Sequence, residues 1–101
     1  MVESDVLSGA AINNIQTACK QNDIKFAAIF GSIARGTANP ESDIDILVKF
    51  SVRKTLLDLV RIERELSEVL ERKVDLVTEN SLSPYIRDRI KDDLLVVYDE
   101  G

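Results

Sequence analysis

The chain has 101 residues, which fits one folded domain of ordinary size and leaves no room for a second lobe. Its 13 basic and 18 acidic side chains give a formal net charge of -5, which disfavours direct binding to nucleic acid. The lack of histidine excludes an imidazole base, a Ser-His-Asp triad and a histidine-ligated zinc ion, so any chemistry must rely on carboxylates.

The apolar content and the single cysteine indicate where such a domain works. Apolar residues make up 45% of the chain, enough for one modest core without disulfide bonds. Cys19 has no partner within the chain, and no segment resembles a secretory signal or a membrane span. We therefore expect a cytoplasmic protein, with one domain over residues 1–101 and no membrane partner.

The first third of the chain predicts a helix, a strand and a turn. Apolar residues recur at helical spacing from about Val6 to Gln21. The apolar run KFAAIF, from Lys25 to Phe30, predicts a buried strand that stops at Gly31. The next residues, GSIARGTANP, are rich in turn formers, so we expect a short helical turn over 33–35 and then a loop.

The segment SDIDILVKF, residues 42–50, predicts a second strand. Alternation along a strand sends successive side chains to opposite faces. One face then carries Asp43, Asp45 and Leu47, and the other carries Ile44, Ile46 and Val48.

The second half predicts two more helices and two more strands. An amphipathic helix is expected from Lys54 to Arg72, with an apolar face made of Leu56, Leu59, Val60, Leu66, Val69 and Leu70. A strand follows over 73–79, a helix opens at Ser83-Pro84 and ends near 93, and a last strand covers 94–98. This order predicts an α/β (α+β) fold, a mixed sheet with its helices mainly on one face.

Three aspartates are the candidate catalytic and metal-binding residues. Asp43 and Asp45 project from one face of a strand, roughly 6 to 7 Å apart. Asp75 interrupts the apolar strand KVDLV and lies beside them if the two strands are neighbours. An open set of carboxylates suits Mg²⁺, and two ions would clamp an in-line displacement at phosphorus. The alternative for Asp75 is a surface salt bridge to Lys73 or Arg72.

The turn after the first strand is the candidate phosphate site. Glycine at position 31 lets a backbone approach closely, and the Ser32 hydroxyl and free amides can donate to phosphate oxygens. Arg35 would either neutralise charge during transfer or pair with Glu41.

The string GSIARGTANPESDIDILV resembles the signature of the DNA polymerase β-like nucleotidyltransferase superfamily. There Gly-Ser is followed by ten residues and Asp-x-Asp, matched here by Gly31-Ser32 and Asp43-Ile44-Asp45. The fuller string Gly-Ser-x-Ala-Arg-Gly is similar to minimal nucleotidyltransferases that act as antitoxins beside HEPN toxins. The resemblance implies a polymerase β-like fold, catalytic roles for Asp43, Asp45 and Asp75, and a triphosphate held at Gly31 and Ser32.

For function, the resemblance implies transfer of a nucleoside monophosphate with ATP as donor and magnesium as cofactor. The implied acceptor is a tyrosine on a HEPN toxin encoded nearby, which the modification would silence. Two alternatives remain open. The chain could be a non-catalytic antitoxin that neutralises its toxin by binding, or a transferase acting on a small hydroxylated molecule.

Overall fold

The computed structural model describes residues 9–31, 43–79, 83–85, 88 and 94–100. These contain two helices and four strands: α1 (Gly9–Gln21), β1 (Ile24–Phe30), β2 (Ile44–Phe50), α2 (Leu56–Leu70), β3 (Val74–Thr78) and β4 (Leu95–Asp99). Neither helix has the length and apolar content needed to cross a membrane. The predicted helix start before Gly9 and the predicted turn over 33–35 lie outside the described residues. Of the predicted helix after Ser83, the structure describes Pro84, Tyr85 and Asp88, which are helical.

The described elements follow the predicted order, and their ends differ from prediction by one or two residues. The start of α2 shows why. Thr55 caps the helix: its hydroxyl accepts from the Asp58 backbone N–H at 3.2 Å, and the Asp58 carboxylate accepts from the Thr55 N–H at 3.0 Å. The Thr55 N–H and hydroxyl both donate to the Asp58 carboxylate, and these two bonds lower the pKa of Asp58 below its ordinary value. The helix therefore begins at Leu56 and not at Lys54.

The sheet is mixed, in the order β3-β2-β1-β4. β1 pairs antiparallel with both β2 and β4, whereas β2 pairs parallel with β3. Both helices pack on one face of this sheet, α1 against β1 and β4, and α2 against β3 and α1. The predicted fold class, a mixed sheet with helices on one side, is confirmed.

The core lies between that face and the helices. Alternation along β2 is as predicted, since Ile44, Ile46 and Val48 are fully buried there while Asp43 and Asp45 are half-buried on the other face. From α2, Ile62 and Leu66 enter the core. The predicted apolar face of α2 was too wide: Leu56, Val60 and Val69 are exposed. The helix packs against β3, the edge strand of a four-stranded sheet. The sheet therefore covers only a narrow strip of the helix surface.

Side chains of α2 hold the outer edge of β3. An edge strand presents backbone groups that have no strand partner. Here the Ser67 hydroxyl accepts from the Val74 N–H at 3.0 Å, and the Glu63 carboxylate accepts from the Leu76 N–H at 2.9 Å. Val74 and Leu76 flank Asp75, so α2 fixes the backbone on both sides of that aspartate.

We predict that Glu63→Ala lowers the free energy of unfolding by about 1 to 2 kcal/mol, because the Leu76 N–H loses its partly buried acceptor. Glu63→Gln keeps an acceptor oxygen and should lose less. Glu68→Ala, an exposed change in the same helix, should stay within about 0.5 kcal/mol of the original chain. Urea denaturation measures all three, and equal stabilities for the two alanine variants would contradict the assigned role.

Candidate active site

Asp45 and Asp75 are direct neighbours across the parallel strands. The register of β2 and β3 pairs Asp45 with Asp75, so the two side chains project from the same face, the one opposite the helices. Asp43 comes two residues before Asp45 and shares that face. The backbone at this end is fixed by a hydrogen bond of 2.9 Å from the Ile44 N–H to the Lys73 carbonyl. The three predicted carboxylates therefore lie on the same face, at one end of the sheet.

Gly31 lies directly against Asp45. The antiparallel register pairs Phe30 with Asp45, which brings the turn after β1 to the carboxylate. Gly31 has φ +82°, and a Cβ placed there would be 2.6 Å from Asp45 Oδ2. Any other residue would be strained in the backbone and would collide with the carboxylate. A backbone without a side chain therefore lets the start of this turn approach the Asp45 carboxylate closely.

The donor set suits a cation that keeps other ligands. Like charges side by side on neighbouring strands repel, and a cation between them offsets this. Within the described ranges, however, no three acidic or cysteine side chains converge closely enough to hold a metal ion by themselves. Magnesium does not need three protein ligands, because it commonly retains waters and takes substrate phosphate oxygens alongside one or two carboxylates. The residues thus fit magnesium carried in with a nucleotide better than a closed structural site.

The alternative for Asp75, a surface salt bridge, finds no support. In the described part of the chain Asp75 forms no ion pair with Lys73 or Arg72. The remaining predicted binding residues, Ser32 and Arg35, lie outside the described residues. Glu63 and Ser67, which fix the backbone around Asp75, were missed from sequence, since nothing in their spacing shows that they face the edge of β3.

A thiol nucleophile can be set aside. Cys19 is buried in the core, and burial, with a smaller effect of Glu100, raises its pKa to about 12. The thiolate, which is the reactive form, is therefore negligible at neutral pH. Asp43, Asp45 and Asp75 therefore stay the predicted catalytic groups.

We predict that Gly31→Ala destabilises the fold by about 1 to 3 kcal/mol, because it adds backbone strain and displaces the Asp45 side chain. Gly9→Ala is the matched control, since a Cβ at Gly9 meets nothing within 4 Å. Thermal or urea unfolding compares the two. Equal stability of both variants would show that the Gly31 turn does not lie against Asp45.

Comparison with known proteins places this arrangement in a family. The family model described as a nucleotidyltransferase domain matches residues 12–99. A candidate protein adenylyltransferase of Methanocaldococcus jannaschii is 53% identical over 70 residues, which are 69% of this chain and 75% of that protein. The protein adenylyltransferase MntA of Thermococcus cleftensis is 38% identical over 76 residues, 70% of this chain and 77% of that protein. A crystal structure of a mutant toxin–antitoxin pair containing MntA matches with a TM-score of 0.74 and 25% identity, covering 86% of this chain and 71% of that one. The chain belongs to the nucleotidyltransferase domain family.

Proposed function

We propose that the chain is a magnesium-dependent adenylyltransferase, which moves AMP from ATP onto a hydroxyl of a partner protein and so acts as an antitoxin. The observation that carries the proposal is the register of β2 and β3. It sets Asp45 beside Asp75, with Gly31 against the Asp45 carboxylate. Carboxylates next to a glycine backbone suit a triphosphate that binds together with a metal ion.

In this proposal one set of residues binds the metal ions and another binds the phosphates. Asp43 and Asp45, with Asp75 beside them, would hold one or two magnesium ions. When bound, magnesium would neutralise the phosphate charge and orient the reacting oxygens. The Gly31 backbone, which carries no side chain, would let the phosphates approach it, while Ser32 would donate a hydrogen bond and Arg35 would supply a positive charge.

The transfer step needs one proton acceptor. The acceptor hydroxyl oxygen forms a bond to the α-phosphorus of ATP, and the bond from that phosphorus to the bridging oxygen breaks. Pyrophosphate leaves with the bond electrons. Asp75 would take the hydroxyl proton, because its carboxylate lies next to Asp45 at the metal end. The hydrogen bonds that the N–H groups on either side of Asp75 donate to Ser67 and Glu63 hold the backbone that carries this carboxylate.

The relatives favour a protein as acceptor. Two of them carry the name protein adenylyltransferase, and a solved neighbour is half of a toxin–antitoxin pair. We infer that the acceptor is a tyrosine of a HEPN-type toxin encoded beside this chain. A small hydroxylated acceptor is less well supported, because no relative described above is named for one.

Turnover separates this enzyme from a non-catalytic antitoxin. We predict that the chain with Mg-ATP inactivates a molar excess of the neighbouring HEPN-type protein, which gains the mass of one or more AMP groups. Asp43→Asn and Asp45→Asn should abolish the mass gain, since each removes a proposed metal ligand. Asp88→Asn, a change at an exposed carboxylate with no proposed role, should leave it intact. Intact-protein mass spectrometry with a nuclease assay of the toxin gives both readouts.

A binder would behave differently, because occupancy of a surface follows mass action and is lost on dilution. Inhibition that needs equimolar chain, needs no ATP and survives both aspartate changes would overturn the enzymatic proposal.

A further inference from the structure

The corner between β2 and α2 exposes apolar side chains that the core does not use. Val52, Leu56, Leu57 and Val60 are 51, 75, 81 and 46% exposed, and they make up half of the eight large apolar side chains exposed in the described residues. We call these four residues, together with Arg53, the corner patch. The same helix already supplies the core through Ile62 and Leu66. Folding therefore does not explain the corner patch, and clustered exposed apolar residues mark contact sites.

The corner is also basic in an acidic chain. Residues 49–61 hold four basic side chains and one acidic one, whereas the whole chain has 13 basic and 18 acidic. Three of the four have an acidic partner: Lys54 pairs with Asp23 at 3.0 Å, and looser pairs join Arg61 to Asp58 at 3.7 Å and Lys49 to Glu79 at 3.9 Å. Arg53 forms no ion pair among the residues that the structure describes. The positive charge of Arg53 is thus left over beside the exposed apolar groups.

Two grooves flank the first turns of α2. One, of about 470 Å³, is lined by four basic residues and one acidic residue, Glu79, with Val52 among its apolar residues; the basic residues are Lys25, Lys49, Arg53 and Lys54. The other, of about 360 Å³, is lined by Leu57, Val60, Arg61 and Arg64, and by Glu65 and Glu68 toward the C-terminal half of α2. Side chains of a partner could enter on both sides of the helix, with acidic groups favoured in the first groove.

The distance from the carboxylates restricts the kind of partner. Asp45 is near the start of β2 and Phe50 ends it, so five residues, or about 17 Å, separate the proposed chemistry from the corner. A small acceptor at Asp45 could not touch both places, whereas a folded protein domain, on the order of 30 Å across, could. Nucleic acid makes little use of exposed leucines, and the net charge of -5 opposes adsorption to an anionic bilayer.

We propose that the corner patch is the docking surface for the protein acceptor, which presents acidic side chains around an apolar contact. The proposal rests on the function proposed above. It separates recognition, at the corner, from chemistry at the other end of β2. Changes in the patch should therefore weaken binding of the acceptor without altering the transfer step once the acceptor is bound.

The test compares Leu57→Ser, Arg53→Glu and the double variant with two controls. Lys20→Glu reverses an exposed charge on α1, and Val69→Ser removes an exposed apolar group at the far end of α2. Biolayer interferometry measures the Kd for the neighbouring HEPN-type protein, and AMP transfer to it gives KM and kcat. The double variant should raise Kd and KM at least about tenfold, in the range of interface hot spots, with kcat unchanged. Both controls should match the original chain.

The outcomes distinguish this inference from the proposed function. Transfer by the original chain, with patch variants that bind as tightly as the controls, would overturn the docking surface and leave the enzyme. Binding that depends on the patch without any transfer would keep the docking surface and overturn the enzyme. Failure of the original chain to bind the protein, or patch-dependent binding to phosphatidylglycerol vesicles in its place, would overturn the docking proposal.

Discussion

The parallel pairing of β2 with β3 is the constraint on which the candidate site depends. Parallel neighbours cannot be joined by a tight hairpin and need a long crossover, which α2 supplies here. That helix then returns across the sheet and packs on β3, where Glu63 and Ser67 take up two N–H groups of the outer edge. The crossover thus allows the parallel pairing of Asp45 with Asp75, and its helix also fixes the backbone of β3.

The antiparallel pairing of β1 with β2 adds the second half of the site. It brings Phe30 opposite Asp45, so the chain leaving β1 must turn against a carboxylate. Only a residue without a side chain fits there, which is why the turn begins at Gly31. At the other end of the same strand lie Lys49 and Phe50, beside the corner patch. One strand therefore connects the proposed chemical and recognition ends of the molecule.

Much of this arrangement could be predicted from the sequence. Period-two alternation put Asp43 and Asp45 on the face opposite Ile44 and Ile46, because a strand with one buried face fixes the orientation of every side chain. Asp75 was expected beside them if its strand was a neighbour of theirs, and the pairing of Asp45 with Asp75 confirms that the strands are neighbours. The roles proposed for these residues remain predictions.

Other features depend on contacts that no local pattern records. Glu63 and Ser67 read as ordinary polar positions on a helix until the edge of β3 is placed beside them. Leu56 and Val60 fit the helical period of the core face, yet the sheet is too narrow to cover them. The width of a buried strip depends on what packs against it, and this information lies in the tertiary structure.

The most direct test of the account is a crystal structure of the chain with Mn²⁺ and a non-hydrolysable ATP analogue. Manganese replaces magnesium at oxygen ligands and is located by its anomalous scattering. We predict a peak at ligand distance, roughly 2.0 to 2.2 Å, from the carboxylates of Asp43 and Asp45, with the phosphates against Gly31. A bound nucleotide whose metal contacts neither aspartate would contradict it.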